Sequence, residues 1–396
     1  MNYPSIRFRQ ENGEQFPDYE LFQLGDIYSE RNEKGDDSLP ILTISIHSGV
    51  SDGEADEDEI GKRVSRSEDK SLYKRVYEGD LAFNMMRAWQ GAIGVVRSSG
   101  MISPAYIAAI PNEKVYPPYM NYYMRTDQMI HNIDRQSYGL TDFRKRLYWD
   151  SFAKISCYLP CLEEQKKIAD FLDLLVERID EEKEILSLMV ERRKELLRQI
   201  MPQEISLSAE NVSPSNWEEY RFGDLVSLSK EKAKPGERHL SKCIELENID
   251  QANGTINGFA DAANQSSVKN IFHAGDVLFG KLRPYLRKYW LANFEGVCSS
   301  EIWVLKPDQE YLSSEYLFHY VGSDSFIEIA NISSGTKMPR ADWKLVSSST
   351  ILLPPLEEQK RITDFLSLLN EEIDNKRGLL ADWESLKNGL LQRMFV

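Results

Sequence analysis

An internal repeat constrains this chain more than any other feature of its sequence. Residues 159–180 recur as residues 353–374, and 16 of the 22 positions are identical. Weaker echoes precede each copy, because the Gly-Asp-hydrophobic run at 79–83 returns at 275–279. A repeat of about 195 residues predicts two halves built on one plan, each a variable globular module followed by a well-preserved segment.

The preserved segment is predicted to be a long helix. Pro160 and Pro354 precede the two copies, and Pro202 is the next proline after the first one. Apolar residues recur at alternating steps of three and four, which is the spacing of a two-stranded coiled coil. The positions predicted to pair the helices are Ile168, Leu172, Leu175, Ile179 and Leu186 in the first copy and Ile362, Leu366, Leu369, Ile373 and Leu380 in the second.

We expect the two helices to pair in the antiparallel sense. A helix of about 38 residues is roughly 57 Å long, and antiparallel pairing brings the end of each helix near the start of the other. The alternative is a parallel pair, and cross-links from position 172 separate the two arrangements. A link to position 390 indicates antiparallel helices, and a link to position 366 indicates parallel ones.

The predicted organisation is two similar globular α/β modules and two long helices, so the fold class is α+β with an internal repeat. The predicted segments are a first module at 1–159, a helix at 160–201, a linker at 202–216, a second module at 217–353 and a helix at 354–396. Strands are predicted at 39–46, 79–83, 93–97, 107–110, 156–159, 276–279, 302–306 and 350–353, and module helices at 119–133 and 314–329.

Composition and charge narrow the class of protein. The sequence has 41% hydrophobic and 28% charged residues, four cysteines, and no apolar stretch of membrane-spanning length. We therefore expect a soluble cytoplasmic protein without a disulfide framework or signal peptide. Its net charge is −15, yet residues 61–155 carry 15 basic and 9 acidic side chains. Positive surface is thus expected locally on an acidic chain.

Motifs for catalysis and metal binding are incomplete. Residues 275–281 fit the start of a phosphate-binding loop, but Leu282 stands where Ser or Thr should hold magnesium. A Gly-Asp turn entering a strand is the preferred interpretation, and an NTPase is the alternative. The Tyr-Pro-Pro-Tyr run at 116–119 lacks the Asn or Asp of amino-methyltransferases, and the cysteines and histidines form no zinc pattern. No catalytic or metal-ligating residue is predicted.

What remains is a set of basic, amide and aromatic residues at loop-like positions of both modules. Arginine reads guanine, Asn and Gln read adenine, and lysine mostly holds phosphate. The candidate DNA-binding residues are Lys62, Arg63, Arg66, Arg87, Gln90, Gln136, Tyr138, Arg144, Lys145 and Arg146 in the first module, and Lys269, Asn270, Lys281, Arg283, Arg287, Lys288, Lys337, Arg340 and Lys344 in the second. Arg87 and Arg283 fall at equivalent positions of the repeat, as do Arg144 and Arg340.

The chain resembles the specificity (S) subunits of type I restriction–modification enzymes. The most specific match is the Leu-Pro-x-Leu-Glu-Glu-Gln-Lys-x-Ile run at 159–168 and 353–362. The resemblance covers essentially the whole chain, in the order module, helix, module, helix. The resemblance implies two target-recognition domains, each reading one half of a bipartite, asymmetric DNA target. It implies helices that set the spacing and dock two modification (methyltransferase) subunits, with restriction subunits completing the complex. It also implies a non-catalytic chain without a cofactor, because S-adenosylmethionine, ATP and magnesium belong to the partner subunits.

The polar start of each helix predicts a docking surface for that partner. Its residues are Glu163, Glu164, Gln165 and Lys166, repeated as Glu357, Glu358, Gln359 and Lys360. We expect them on the surface because they are polar, and their recurrence indicates one partner surface docking twice. The alternative function is a non-catalytic coiled-coil scaffold that binds protein partners and no DNA.

Overall fold

The computed structural model describes residues 4–36, 38–51, 72–139, 144–200, 217–233, 241–264, 267–332 and 338–395. The chain divides into two compact units. The first unit is Met1–Lys183 with Gly378–Val396, and the second is Glu184–Arg377. Each unit therefore combines one module with parts of both long helices. Among the described residues, no helix is both long and apolar enough to cross a membrane.

The first unit is built around a four-stranded antiparallel sheet in the order Tyr28–Arg31, Tyr106–Pro111, Leu81–Asn84, Ile93–Val95. The other strands are Glu20–Gln23, Ile44–Ser45, Gly49–Val50, Lys74–Val76, Gly100–Ile102 and Ser156–Leu159. The module helices are Leu24–Ile27, Pro117–Tyr123, Asp127–Gln136 and Trp149–Phe152, with a short 3-10 turn at Ala88–Gln90. The predicted strand at 39–46 is reduced to Ile44–Ser45, whereas the strand at 156–159 has the predicted bounds.

The second unit repeats this sheet with the order Val226–Leu228, Ile302–Pro307, Val277–Gly280, Tyr289–Leu291. It adds a five-stranded sheet in the order Lys232–Ala233, Lys269–Phe272, Gly296–Cys298, Lys242–Ile244, Ala260–Asp261. Strands Glu218–Arg221 and Thr350–Leu353 pair separately. The module helices are Phe222–Leu225, Ser314–Val321, Asp324–Ala330 and Trp343–Ser348, with 3-10 turns at Leu246–Asn248, Ala262–Asn264 and Pro284–Leu286. The shared order of the central strands confirms the predicted internal repeat.

Each predicted module helix is in fact two helices. The first helix of each pair ends at Tyr123 or Val321. Thr126 caps the next helix of the first module by accepting a hydrogen bond from the backbone N–H of Met129, and Ser323 does the same with Phe326 in the second module. A Ser or Thr before an Asp is a typical helix start, because its hydroxyl satisfies an otherwise unpaired backbone N–H. The predictions of continuous helices at 119–133 and 314–329 are wrong because they overlooked this signal.

The long helices span Leu162–Ile200 and Leu356–Met394, within two residues of the predicted bounds. In the first unit, Ile168 and Leu172 are buried in one core with Met394, and Leu390 packs against it. The start of the first helix thus contacts the end of the second. In the second unit, Leu197 and Ile200 share a core with Ile362 and Leu366.

Pairing within each unit is therefore antiparallel, as predicted. Polar contacts agree with this sense. The Lys183 ammonium lies 3.0 Å from the Glu384 carboxylate in the first unit, and Arg193 donates a hydrogen bond to the side-chain oxygen of Asn370 in the second. Of the predicted pairing positions, Leu186, Leu369 and Leu380 are half-buried and the others are buried.

Candidate nucleic-acid interface

The two modules present the same short turn at the same place in the repeat. In each, a central strand, Leu81–Asn84 or Val277–Gly280, leads into a 3-10 turn that begins with an arginine. These arginines are Arg87 and Arg283. Both are exposed, and neither guanidinium forms a hydrogen bond or ion pair with a side chain or backbone group among the described residues. The fold thus places an exposed arginine at equivalent positions of the two modules, and neither guanidinium has a hydrogen-bond or ion-pair partner among the described residues.

Further candidates surround the turn in the first module. Tyr138 and Arg146 exchange two backbone hydrogen bonds, and the Tyr138 ring is 60% exposed at 5.2 Å from the ring of Tyr148. Arg146 itself is exposed, as are Gln90, Gln136 and Arg144. The Lys145 ammonium is 2.9 Å from the Asp134 carboxylate and faces the Trp89 ring at 5.7 Å. The structure thus brings the predicted residues of 87–90, 136–138 and 144–146 to one part of the module.

In the second module, the turn lies against the segment that carries Arg340. Arg340 bridges to Leu282 as an isolated antiparallel pair, and the Arg283 N–H donates to the Pro339 carbonyl at 2.7 Å. The Arg340 guanidinium forms an ion pair with Glu301 at 2.9 Å. Lys281 is half-buried and Lys344 is exposed. Arg283 and Arg340 are thus neighbours, although 57 residues separate them in the sequence.

Four predicted residues of the second module are engaged inside the fold. Lys269 is buried and forms an ion pair with Glu245, so its ammonium is engaged within the module. The Lys288 ammonium donates to the carbonyls of Leu246 and Ile249.

The side chains of Asn270 and Arg287 also bond to groups within the second module. The Asn270 side chain donates to the Ile302 carbonyl at 3.0 Å, and Arg287 bonds to the Gly322 carbonyl and to Asp324. A local sequence pattern does not reveal these partners. Lys62, Arg63, Arg66 and Lys337 lie outside the described residues.

The Gly275–Lys281 segment is a turn followed by a central strand. The Gly275 N–H donates to the Ala292 carbonyl, and the Gly280 N–H donates to the Lys288 carbonyl at 2.8 Å. Since these amides already serve the sheet, they do not form a cradle for phosphate. The interpretation as a Gly-Asp turn entering a strand is confirmed.

Half of the predicted docking surface is buried. Gln165 and Gln359 are 1% and 0% exposed, and Glu164 and Glu358 are buried beside them. Glu164 forms an ion pair with Arg7 at 2.7 Å, and Glu358 accepts a hydrogen bond from the Trp217 indole at 3.2 Å.

These four side chains are buried within their own units, so the structure gives them a role inside the fold. They recur because each joins the start of a long helix to its module. The exposed members of the set are Glu163, Lys166, Glu357 and Lys360.

The long helices instead expose apolar side chains that the seam analysis did not single out. In the first unit these are Phe171, Leu174, Leu379 and Leu386, and in the second unit they are Ile185, Leu188 and Leu368, with exposed fractions from 38% to 66%. Exposed apolar surface on a helix is typical of a protein–protein contact. The sequence signal was available, since these residues fall between the seam positions.

Comparison with known proteins finds similarity to specificity subunits of type I restriction enzymes. Residues 214–382 match the family described as the type I restriction modification DNA specificity domain. The specificity subunit of the type I restriction enzyme EcoDI from Escherichia coli is 26% identical over 279 residues, which are 61% of this chain and 62% of that protein. The MjaVIII specificity subunit of Methanocaldococcus jannaschii is 25% identical over 46% of this chain and 43% of its own length. The matched region is thus less than two thirds of each relative.

Solved structures share the fold over nearly the whole chain. A chain from a study of complex assembly and conformational transition of the type I R-M system has a TM-score of 0.61 at 18% identity, covering 96% of this chain and 98% of that one. The HsdS subunit of Thermoanaerobacter tengcongensis has a TM-score of 0.52 at 19% identity, covering 98% and 99%. These likenesses extend the shared fold to the first module, which the family match does not include.

Proposed function

We propose that this chain is the non-catalytic DNA-recognition subunit of a type I restriction–modification complex, because residues 214–382 match the specificity domain of that family and the relatives it matches are specificity subunits. The observation that carries this proposal is the pair of equivalent arginines, Arg87 and Arg283. Each is exposed at the start of the same turn, and each guanidinium is unengaged among the described residues. A guanidinium that no described residue engages suits bidentate contact with guanine in the major groove.

Two modules imply a target in two parts. We assign the recognition domains to residues 1–159 and 217–353, each reading one half-site. The modules share a central sheet but differ around it, because only the second has the described five-stranded sheet. Different surfaces read different bases, so the two half-sites need not be palindromic. The spacer between the half-sites is unread.

We assign the docking of the modification subunits to the long helices. Exposed leucines of the long helices supply apolar surface: Leu174 and Leu386 in the first unit, and Leu188 and Leu368 in the second. The exposed polar residues at the starts of the helices are Glu163, Lys166, Glu357 and Lys360. Burying such leucines stabilises an interface by about 1.5–3 kcal/mol per fully buried side chain. The repeat offers a similar surface twice, which suits two modification subunits.

The net charge supports a role for partners in DNA binding. A chain with a net charge of −15 repels the phosphate backbone overall. We therefore expect weak, salt-sensitive DNA binding by this chain alone and tight binding within the complex. S-adenosylmethionine, ATP and magnesium are assigned to the partner subunits, the restriction subunits included, and the complex to the cytoplasm.

The experiment is selection from a DNA library. This chain, purified together with its modification subunits, is mixed with duplexes that carry a randomised region, and bound duplexes are sequenced. We expect two short enriched sequences at a fixed separation, with unselected bases between them. Modification subunits alone are the control. A complex that assembles but enriches no sequence would support the scaffold function and contradict this proposal.

A further inference from the structure

All three non-glycine residues with left-handed backbone among the described residues lie at one place in the second module. They are Ala252 (φ 60°), Arg283 (φ 53°) and Arg287 (φ 49°). Arg283 and Arg287 flank the turn Pro284–Leu286, and the Ala252 N–H donates to the Arg287 carbonyl at 3.0 Å. A side chain in this backbone conformation is strained, and such strain persists only where surrounding contacts impose it.

In the first module, a glycine occupies the equivalent left-handed position. Its equivalent turn, Ala88–Gln90, ends at Gly91 with φ 102°. Gly91 aligns with Arg287, because Gly79 and Gly275 open the two strands and the turns follow at the same distance. Glycine adopts this conformation without steric cost. An arginine at the equivalent position therefore indicates that its side chain is needed there.

The contacts of Arg287 show what the side chain does. Its guanidinium donates to the Gly322 carbonyl at 3.1 Å and pairs with Asp324 at the start of the next helix. The turn borders a cleft of about 450 Å³ lined in part by Tyr285, Leu286 and Arg287. Because this side of the turn faces a cleft, packing alone does not hold it there. The guanidinium of Arg287 supplies the anchor.

Arg283 is held from the other side. Its N–H bonds to the Pro339 carbonyl, and the neighbouring Lys281 carbonyl accepts a hydrogen bond from Ala341 at 2.8 Å. Its guanidinium, unlike that of Arg287, engages no described residue. The two arginines of one turn thus have different roles: Arg287 bonds within the fold, and the Arg283 guanidinium has no partner among the described residues.

We infer that Arg283 is the specificity-determining residue that reads a guanine in the second half-site, and that Arg287 is a positioning residue that holds the Arg283 turn and contacts no DNA. Arg87 is the counterpart of Arg283 for the first half-site. This inference rests on the proposed function. It assigns different roles in DNA recognition to Arg283 and Arg287, although both side chains are arginine.

The test is library selection with variants of the chain in its complex with modification subunits. In Arg283→Ala, we expect the preference for one guanine of the second half-site to weaken by roughly 5- to 150-fold. The first half-site should be unchanged and serves as the internal control for folding and assembly. Arg87→Ala should show the reverse pattern.

Arg287→Gly and Asp324→Asn separate positioning from contact. Arg287→Gly installs the residue of the first module, so the backbone strain is relieved while the anchor is lost. Asp324→Asn keeps Arg287 and removes the negative charge with which it pairs. We expect both to relax the same base position as Arg283→Ala, while the slope of binding against salt concentration is unchanged because no phosphate contact is lost.

The outcomes distinguish the inference from the proposed function. If the wild-type complex selects no bipartite sequence, the proposed function fails. If it does, but Arg283→Ala leaves every base preference intact, the reading role of Arg283 is wrong. If Arg287→Gly relaxes a different base, or lowers the salt slope by about one, Arg287 contacts DNA directly and its positioning role is wrong.

Discussion

The side-chain oxygen of Gln165 accepts a hydrogen bond from the backbone N–H of Tyr116 at 2.9 Å. Its side-chain amide donates to the carbonyls of Lys114 and Pro160. Gln359 repeats this arrangement in the second unit, where it accepts from the Ser313 N–H at 2.9 Å. One glutamine at the start of each long helix thus joins the helix to its own module.

Replacing Gln165 by alanine should destabilise the first unit by about 1–3 kcal/mol, because a backbone N–H and two carbonyls lose their partner in a buried place. Lys166→Ala is the matched control, since the neighbouring lysine is exposed and its removal should change stability by less than about 0.5 kcal/mol. Urea unfolding of the full chain measures both. Equal effects would contradict a structural role for Gln165.

On the first long helix, Leu172 belongs to the core and Leu174 belongs to the proposed docking surface. Leu172 is buried and Leu174 is 66% exposed. We expect Leu172→Ala to cost about 2–5 kcal/mol of stability through the cavity it leaves. Leu174→Ala should leave the thermal midpoint nearly unchanged and reduce co-purification of the modification subunits. A Leu174→Ala chain that still assembles normally would remove this part of the helix from the docking surface.

The antiparallel sense predicts a specific chemical cross-link. The Lys183 ammonium and the Glu384 carboxylate are 3.0 Å apart, and both side chains are about half exposed. A carbodiimide should therefore join them, and mass spectrometry of the digested chain should find that pair. Lys183→Arg keeps the positive charge but removes the reactive amine, so the cross-link should disappear. Finding position 172 linked to position 366 would instead indicate parallel helices.

His319 should make the second unit sensitive to acid. Burial, with a smaller contribution from the charge of Arg193, lowers the pKa of His319 to about 3. The unfolded chain binds a proton at this histidine below its ordinary pKa of about 6.5, and the folded chain does not, so stability falls as the pH falls below that value.

Between pH 6.5 and pH 5 the loss should reach about 2 kcal/mol. Urea unfolding of the full chain at pH 7 and pH 5 measures it. His319→Leu removes the titrating group while other carboxylates and histidines remain, so its stability should fall less over the same range. The same pH dependence in both proteins would show that His319 contributes nothing to it.

The sequence by itself determined the plan of the molecule. A repeat within one chain requires two similar folds, and the shared order of the central strands has that form. Proline spacing and apolar periodicity placed both ends of Leu162–Ile200 within two residues. These are local properties, because proline limits the backbone where it stands and a helix places every third or fourth residue on one face.

Only the tertiary structure decided which polar residues are available to a ligand. Gln165 and Lys166 are adjacent and equally polar, yet Gln165 is buried and Lys166 is exposed. Arg283 and Arg287 flank one turn, yet only Arg287 has an ion-pair partner among the described residues. The physical reason is that a polar side chain is buried where distant groups satisfy its hydrogen bonds. Those groups, such as the Lys114 carbonyl and Asp324, lie tens of residues away along the chain, where no local pattern records them.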